Sequence, residues 1–183
     1  PARGFSLKQD GPLDMRMNPN KGLPVSEVLP RLSKDELKAI LEENADEPFA
    51  ERLSNTLAEQ RLNSTLELAK AIRHCLFDCP SDDREPSVRR VFQALRIHVN
   101  DELQVLDTLL KTLPKQLAPG GRAAILTFHS GEDRRVKKAF ENGLKLGDYS
   151  RISDGVIRAG EDEQRANTRS KSAKLRWAVA RNS

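Results

Sequence analysis

The sequence predicts a mixed α/β protein that also carries an all-helical module. Between residues 24 and 86, apolar side chains recur at intervals of three and four in three successive segments, which favours amphipathic helices. From residue 88 onward, helical patterns alternate with two short apolar stretches typical of strands, which indicates a partial α/β sheet. One or two strands cannot bury a sheet on both faces, so this core calls for more strands than the sequence supplies.

The first half opens with a loop and continues as helices. The stretch DGPLDMRMNP at residues 10–19 combines proline, glycine and charge, which disfavours helix and strand alike. Ser33 and Glu36 have the spacing of a capping box at a helix start, and Ser64 and Glu67 repeat it. The apolar faces predicted for the three helices contain Leu37, Ile40 and Leu41, then Phe49, Leu53 and Leu57, then Leu66, Ala69, Ile72, Leu76 and Phe77. The segment DCPSDDREPS that follows them is predicted to be a loop.

The second half begins with the longest predicted helix, from Val88. Its continuous apolar stripe contains Val91, Leu95, Val99, Leu103, Leu106, Leu110 and Leu113. The turn APGG at residues 118–121 ends it, and RAAILTFHS then predicts a strand. The next helix is expected to have Ser130 as its N-cap and Glu132 and Asp133 in its first turn. KLRWAVAR predicts a final strand.

Charge is distributed unevenly along the chain. Residues 24–86 have a net charge of −6, whereas the last twenty residues have six basic side chains and no acidic one. A basic strip of this kind suits an anionic partner, and the alternative is a solvated tail that only favours solubility. The candidate phosphate contacts in the strip, which lie beside Trp177, are Arg169, Lys171, Lys174 and Arg176.

Cysteine content and hydropathy exclude several classes of protein. Cys75 and Cys79 provide no disulfide framework, so the default setting is a reducing cytosol. With His74 they offer three candidate metal ligands where zinc needs about four, so we expect core or surface thiols and no metal site. The longest apolar run is too short to span a bilayer. The sequence has neither a G-x-G-x-x-G loop nor a P-loop.

Two further positions suggest a ligand-binding role. His129 and Ser130 are placed at the carboxyl end of a strand and the start of a helix, where open α/β sheets bind ligands. Ser130 as a plain helix cap is the alternative. Asn100 lies four residues after Arg96 within a leucine stripe, which suggests an inward hydrogen bond; the alternative is a buried structural pair.

Four blocks of sequence, taken together, resemble one known family. RGFSLKQDGPLDMRMNP, VFQALRIHVNDEL, APGGRAAILTFHSGEDRRVK and NTRSKSAKLR occur in this order, with STLELA in the helical part. As a set they closely resemble the bacterial 16S rRNA cytosine-N4 methyltransferases of the MraW/RsmH family. The chain differs from the usual family pattern at Gly131, where the family has Leu, and at Thr168, where it has Pro.

The resemblance implies a class I, Rossmann-like methyltransferase core that uses S-adenosylmethionine (SAM), interrupted by a helical domain. Residues 1–23 would form an active-site loop of the core, 24–86 the inserted helical domain, and 87–183 the C-terminal half of the core with its basic tail. The implied reaction methylates the exocyclic N4 of a cytidine in the decoding centre of the small ribosomal subunit. The implied setting is cytoplasmic, without a membrane, and the oligomeric state stays open.

Within that resemblance, the catalytic candidates are Asp14, the first choice for the acceptor, and Arg16, the second choice in the same active-site loop. The alternative is that Asp14 pairs with Arg16 to shape the loop. Asn100, His129 and Ser130 are candidate substrate contacts. Family members carry a Gly-rich SAM loop ahead of the RGFS block, and it is missing here, so no cofactor-binding residue is assigned. We therefore expect a C-terminal part of a longer methyltransferase, inactive alone. The alternative is a non-catalytic RNA- or ribosome-binding protein that has lost the cofactor half.

Overall fold

The computed structural model describes residues 4–5 and 9–182, and it confirms a mixed α/β protein. Its contacts divide the chain into two compact units, one with the described residues up to Glu102 and one with those from Leu103. Among the described helices, none has the length and hydropathy needed to cross a membrane.

The first unit is a helical bundle. Its elements are α1 Val25–Val28, a 3₁₀ turn Leu29–Arg31, α2 Lys34–Ala45, α3 Ala50–Leu57, α4 Thr65–Cys75 and α5 Ser81–Val99. Both predicted capping boxes are present, because Ser33 and Ser64 each accept a hydrogen bond from the backbone N–H three residues later while Glu36 and Glu67 bond back. The three predicted helices are confirmed as α2, α3 and α4, and they bury Leu37, Leu41, Leu53, Leu57, Leu68 and Ile72. The prediction of Leu66 and Phe77 on the apolar face of the third helix is wrong, because they are 43% and 70% exposed and Phe77 lies beyond the end of α4.

The prediction of one long helix from Val88 to Leu113 is wrong. Helix α5 begins at Ser81, so most of the predicted loop DCPSDDREPS is helical, and Asp82 and Asp83 in its first turn favour that early start. It ends at Val99, and α6 follows as Glu102–Gln116. Between them Asp101 has a φ of +52°, a left-handed conformation that Asp and Asn adopt more readily than most residues. An unbroken apolar stripe therefore did not indicate an unbroken helix.

The second unit is a small sheet with helices. It contains most of α6, then β1 Arg122–Thr127, α7 Ser130–Leu146, β2 Tyr149–Ile152, α8 Glu161–Ala166, a 3₁₀ helix Thr168–Ser172 and β3 Lys174–Ala180. The strand order is β1-β3-β2, and β3 runs antiparallel to both neighbours. The core of this unit consists of Leu110, Val136, Phe140, Tyr149 and Ala178.

The strands predicted at RAAILTFHS and KLRWAVAR are confirmed as β1 and β3, whereas β2 was not predicted. Strand β2 is four residues long, and only its Tyr149 is buried. The Tyr149 ring meets Phe140 edge-on at 5.5 Å between ring centroids. A Cβ at Gly143 would lie 2.5 Å from this ring, so the glycine allows Tyr149 to pack against α7.

The two faces of the sheet have different surroundings. Ala178 is fully buried, and Arg176 on the same face binds Asp133 of α7, so this face lies against α7. Side chains alternate along a strand, so Trp177 points to the opposite face. Leu126 of β1 also lies on that outer face and is 52% exposed.

Candidate functional site

The loop at residues 13–17 is anchored in the first unit by alternate side chains. Leu13 and Met15 are each 1% exposed within the hydrophobic core. Their burial leaves Asp14 and Arg16 on the other side of the loop. The backbone is fixed as well, since Val25 N–H donates to Asp14 O at 3.0 Å and Ser26 N–H donates to Leu13 O at 2.9 Å. Met15 has a φ of +61°, a strained value for a residue with a side chain.

Asp14 and Arg16 form a two-pronged ion pair. Arg16 Nε donates to Asp14 Oδ1 at 2.6 Å, and Nη2 donates to Oδ2 at 2.9 Å. The Arg16 backbone N–H also donates to Oδ1, and Nη1 reaches the carbonyl of Gly22 at 3.1 Å. The hydrogen bonds that Arg16 donates to Asp14 raise the pKa of Arg16; burial opposes this effect, and the negative charge of Asp14 adds to it. The loop-shaping pair that the sequence offered as the alternative role of Asp14 is therefore present.

Asn100 holds the same loop from the end of α5. Its Nδ2 donates to the carbonyls of Met15 and Arg96, both at 2.8 Å, and its Oδ1 accepts from Met17 N–H at 2.7 Å. The inward hydrogen bond expected of Asn100 is confirmed, and its partner is the loop backbone. The structure thus brings Asp14, Arg16 and Asn100 together in the first unit.

His129 and Ser130 lie in the second unit, at the start of α7, and the N-cap assigned to Ser130 is wrong. His129 is the N-cap, with extended dihedrals, and Ser130 is the first helical residue. The His129 Nδ1 accepts from Glu132 N–H at 3.4 Å, while Glu132 Oε2 accepts from the N–H groups of Phe128 at 2.9 Å and His129 at 3.3 Å. This reciprocal pairing places the cap one residue earlier than predicted.

The Glu132 carboxylate is the charged centre of this helix start. Burial raises its pKa, but the adjacent His129 ring and the Phe128 N–H outweigh burial and lower the pKa to about 2. His129 Nε2 lies 3.3 Å from Glu132 Oε1, yet it is buried and not aligned for a hydrogen bond with any described residue. We therefore attribute the lowered pKa of Glu132 mainly to the backbone N–H groups of Phe128 and His129, which donate to its carboxylate. Glu132 was not singled out from the sequence as a site residue, although its position three residues after the cap is the capping-box signal.

Glu132→Gln is expected to change the acid sensitivity of the protein. The pKa of the Glu132 carboxyl is about 2 in the folded protein and 4.5 in its ordinary state, so the ionised carboxylate stabilises the fold at pH values above 4.5. This stabilisation is lost as the pH falls from about 4.5 toward 2. Unfolding free energies measured by denaturant titration between pH 6 and pH 3 should therefore fall more steeply for the wild-type chain than for the variant. Equal slopes for the two proteins would show that Glu132 does not carry this linkage.

The four candidate phosphate contacts have different surroundings. Arg169 and Lys171 are exposed on the 3₁₀ helix at residues 168–172, and Lys174 is half-buried at the start of β3. None of these three forms an ion pair within the part of the chain that the structure describes. Arg176 donates from Nε and Nη2 to the two carboxylate oxygens of Asp133 at 2.7 and 3.1 Å. Arg176 is therefore committed to an internal pair.

The contacts of the buried Cys75 and of the glycine pair Gly120–Gly121 are those of residues with a structural role. The buried Cys75 Sγ lies 3.2 Å from Thr56 Oγ1, and the described residues contain no group of three His, Cys, Asp or Glu side chains that could hold a metal. Gly121 N–H donates to Ala118 O at 2.7 Å, and a Cβ on Gly121 would meet that same oxygen at 2.7 Å. The pair Gly120–Gly121 is thus a tight turn and does not fit the role of a nucleotide cradle.

The α/β unit carries exposed cations, and the helical unit carries a charged loop with a fixed backbone; exposed cations of this kind suit an anionic ligand. A profile of the MraW methylase family matches residues 1–181, and the chain belongs to this family of methyltransferases.

Three relatives, each named as a ribosomal RNA small subunit methyltransferase H, illustrate the similarity. The chain is 47% identical to the protein from Agathobacter rectalis and 46% identical to the one from Lachnoclostridium phytofermentans, over 98% of its own length and over 54% and 51% of theirs. It is 44% identical to the protein from Prochlorococcus marinus, over 96% of its own length and 57% of that relative. The chain therefore spans about half the length of the curated relatives it matches.

Proposed function

We propose that the protein methylates the exocyclic N4 of a cytidine in 16S rRNA, at the decoding centre of the small ribosomal subunit, using SAM in the cytoplasm. The observation that carries this proposal is the similarity, over 98% of the chain, to proteins named for methylation of small-subunit rRNA. The sequence has no G-x-G-x-x-G loop of the kind that holds a nucleotide cofactor. We therefore assign this chain the RNA-facing part of the reaction, as the C-terminal part of a longer enzyme.

In this reaction SAM, when bound, supplies the methyl group, and residues of this chain orient the base. An amino nitrogen that attacks a methyl group must be held in line and must lose a proton, so it needs an acceptor within hydrogen-bond distance. Asp14 is our candidate acceptor. Arg16 and Asn100 would act as positioning residues, because they fix the carboxylate and the backbone on either side of it. His129 and Ser130 remain candidate substrate contacts.

A chimera tests the proposed function. This chain would replace the matching part of the Agathobacter rectalis relative, to which it is 47% identical. The chimera would be incubated with small ribosomal subunits and methyl-labelled SAM, and the rRNA would be digested to nucleosides for mass spectrometry. We expect labelled N4-methylcytidine. Label found only in 5-methylcytidine or in another base would contradict the proposal.

Asp14→Asn and Arg16→Gln separate a catalytic Asp14 from one that only shapes the loop. Both substitutions break the ion pair, but only the first removes the carboxylate. If Asp14 accepts the proton, Asp14→Asn should lower kcat of the chimera by about 100-fold or more, and Arg16→Gln should lower it much less. Equal losses in the two variants would leave Asp14 with the loop-shaping role alone.

Removing charge from the basic strip is expected to weaken RNA binding in a salt-dependent way. Arg169 and Lys171 are exposed, so each can neutralise one phosphate and release counterions. In the double alanine variant, the slope of log affinity against log salt should become shallower by about 1.5. Fluorescence anisotropy with a labelled 16S rRNA fragment measures this slope. Lys111→Ala with Lys145→Ala is the matched control, and equal slopes in the two variants would refute the contact.

A non-catalytic RNA- or ribosome-binding protein is the second candidate function. It is favoured by the Asp14–Arg16 pairing, which occupies the carboxylate internally, and by the glycine pair, which serves a turn. The two candidates differ in the chimera assay. An inactive chimera, together with tight rRNA binding by the chain, would support the second candidate.

A further inference from the structure

The outer face of the sheet in the second unit carries an aromatic ring among cations. Arg122 on β1 and Arg151 on β2 both pair in register with Val179 of β3, so the three residues form one row across the sheet. The next row pairs Ala124 with Trp177. The Arg151 guanidinium lies over the Trp177 ring, 5.8 Å from its centroid.

These residues line a cleft of about 450 Å³, which is within the range of small-molecule sites. Ala124 has no side chain beyond Cβ, so the space beside the indole stays open. None of the residues that line the cleft is acidic, and neither arginine forms an ion pair within the described residues. On the opposite face of the same sheet, Arg176 is neutralised by Asp133. The outer face differs, because Arg122 and Arg151 have no such carboxylate partner among the described residues.

We propose that this face is a stacking platform for an unpaired nucleotide of the RNA substrate, outside the nucleotide that is methylated. The proposal rests on the proposed function for its RNA partner. Exposed sheet surfaces that combine an aromatic ring with arginine suit single-stranded RNA, because a base stacks on the ring while the guanidinium groups meet the flanking phosphates. A peptide partner would need carboxylates to match the two arginines, whereas RNA supplies a phosphate at every residue.

Trp177 is the one tryptophan in the sequence, so its fluorescence reports directly on this face. The full 183-residue chain would be titrated with an unpaired 12-nucleotide RNA and with a duplex of the same length. We expect saturable quenching by the single strand and weak quenching by the duplex. Unchanged fluorescence on saturation with the single strand would overturn the platform.

Variants give a second, independent reading by anisotropy of the labelled single strand. Trp177→Leu should weaken binding roughly 5- to 150-fold, and Trp177→Phe, which keeps a ring, should restore most of the affinity. Arg151→Ala should also weaken binding, whereas Lys145→Ala, an exposed charge on α7, should not.

The outcomes separate this inference from the proposed function. If the single strand binds tightly and Trp177→Leu binds it equally well, the platform fails and the proposed function stands. If Trp177→Leu lowers the thermal stability of the chimera without changing RNA affinity, the face is a polypeptide contact, and the platform likewise fails. If no variant binds RNA and the chimera is inactive, both proposals fail.

Discussion

Asn100→Ala is expected to lower methyl transfer by the chimera about 100-fold and to lower the unfolding free energy by about 2–3 kcal/mol. The activity loss follows because a small displacement of a positioned group costs about that factor. The stability loss follows because the substitution removes three hydrogen bonds and leaves the carbonyl of Met15 and the N–H of Met17 without this partner. Asn100 also steadies a backbone that is strained at Met15, where φ is +61°.

The control for this prediction is the same substitution at an exposed position of the same unit. Asn55 lies on α3 and donates to the carbonyl of Glu51 on its own helix, so Asn55→Ala should leave activity unchanged. Steady-state kinetics and denaturant titration provide the two readouts. Wild-type activity in Asn100→Ala would mean that the loop keeps its geometry without the asparagine, and Asn100 would then lose its positioning role.

Arg176→Ala is expected to destabilise the second unit by about 3 kcal/mol without changing the salt dependence of RNA binding. The side chains of Arg176 and Asp133 are only 12% and 15% exposed, so removing the arginine leaves a carboxylate largely shielded from water and unpaired. The hydrogen bonds and charge of Arg176, opposed by burial, lower the pKa of Asp133. Because its guanidinium is already neutralised, Arg176 releases no phosphate counterions.

This prediction separates an internal ion pair from a phosphate contact. The salt slope of RNA binding in Arg176→Ala would be compared with that in Arg169→Ala, in which it should become shallower by nearly one. Denaturant titration gives the stability. A variant that keeps wild-type stability but has the shallower slope would return Arg176 to the RNA contacts inferred from the sequence.

Local signals predicted the fold where neighbouring residues decide the structure. The boxes of Ser33 with Glu36 and of Ser64 with Glu67 lie within one helical turn, and both are formed as expected. The break between α5 and α6 was missed because the stripe of leucines continues across Asn100 and Asp101. What ends the helix is a hydrogen bond from Asn100 to Met15, 85 residues away in sequence, together with a left-handed residue at Asp101.

The candidate site shows the same division between near and distant partners. The pairing of Asp14 with Arg16 could be offered as an alternative because the two residues are close in sequence. The pairing of Arg176 with Asp133 joins residues 43 positions apart, so the sequence counted Arg176 as a free cation. Strand β2 was missed because a four-residue strand with one buried residue has no periodicity to detect. Because β2 was not predicted, the row that Arg122, Val179 and Arg151 form across the sheet could not be predicted either.

The most direct test of this account is to incubate the purified 183-residue chain with small ribosomal subunits and methyl-labelled SAM, beside the chimera. We predict that the chain binds the subunits but leaves their cytidines unlabelled, while the chimera forms N4-methylcytidine. Labelled N4-methylcytidine produced by the chain alone would show that these residues hold the cofactor themselves, contrary to the RNA-facing role assigned to them here.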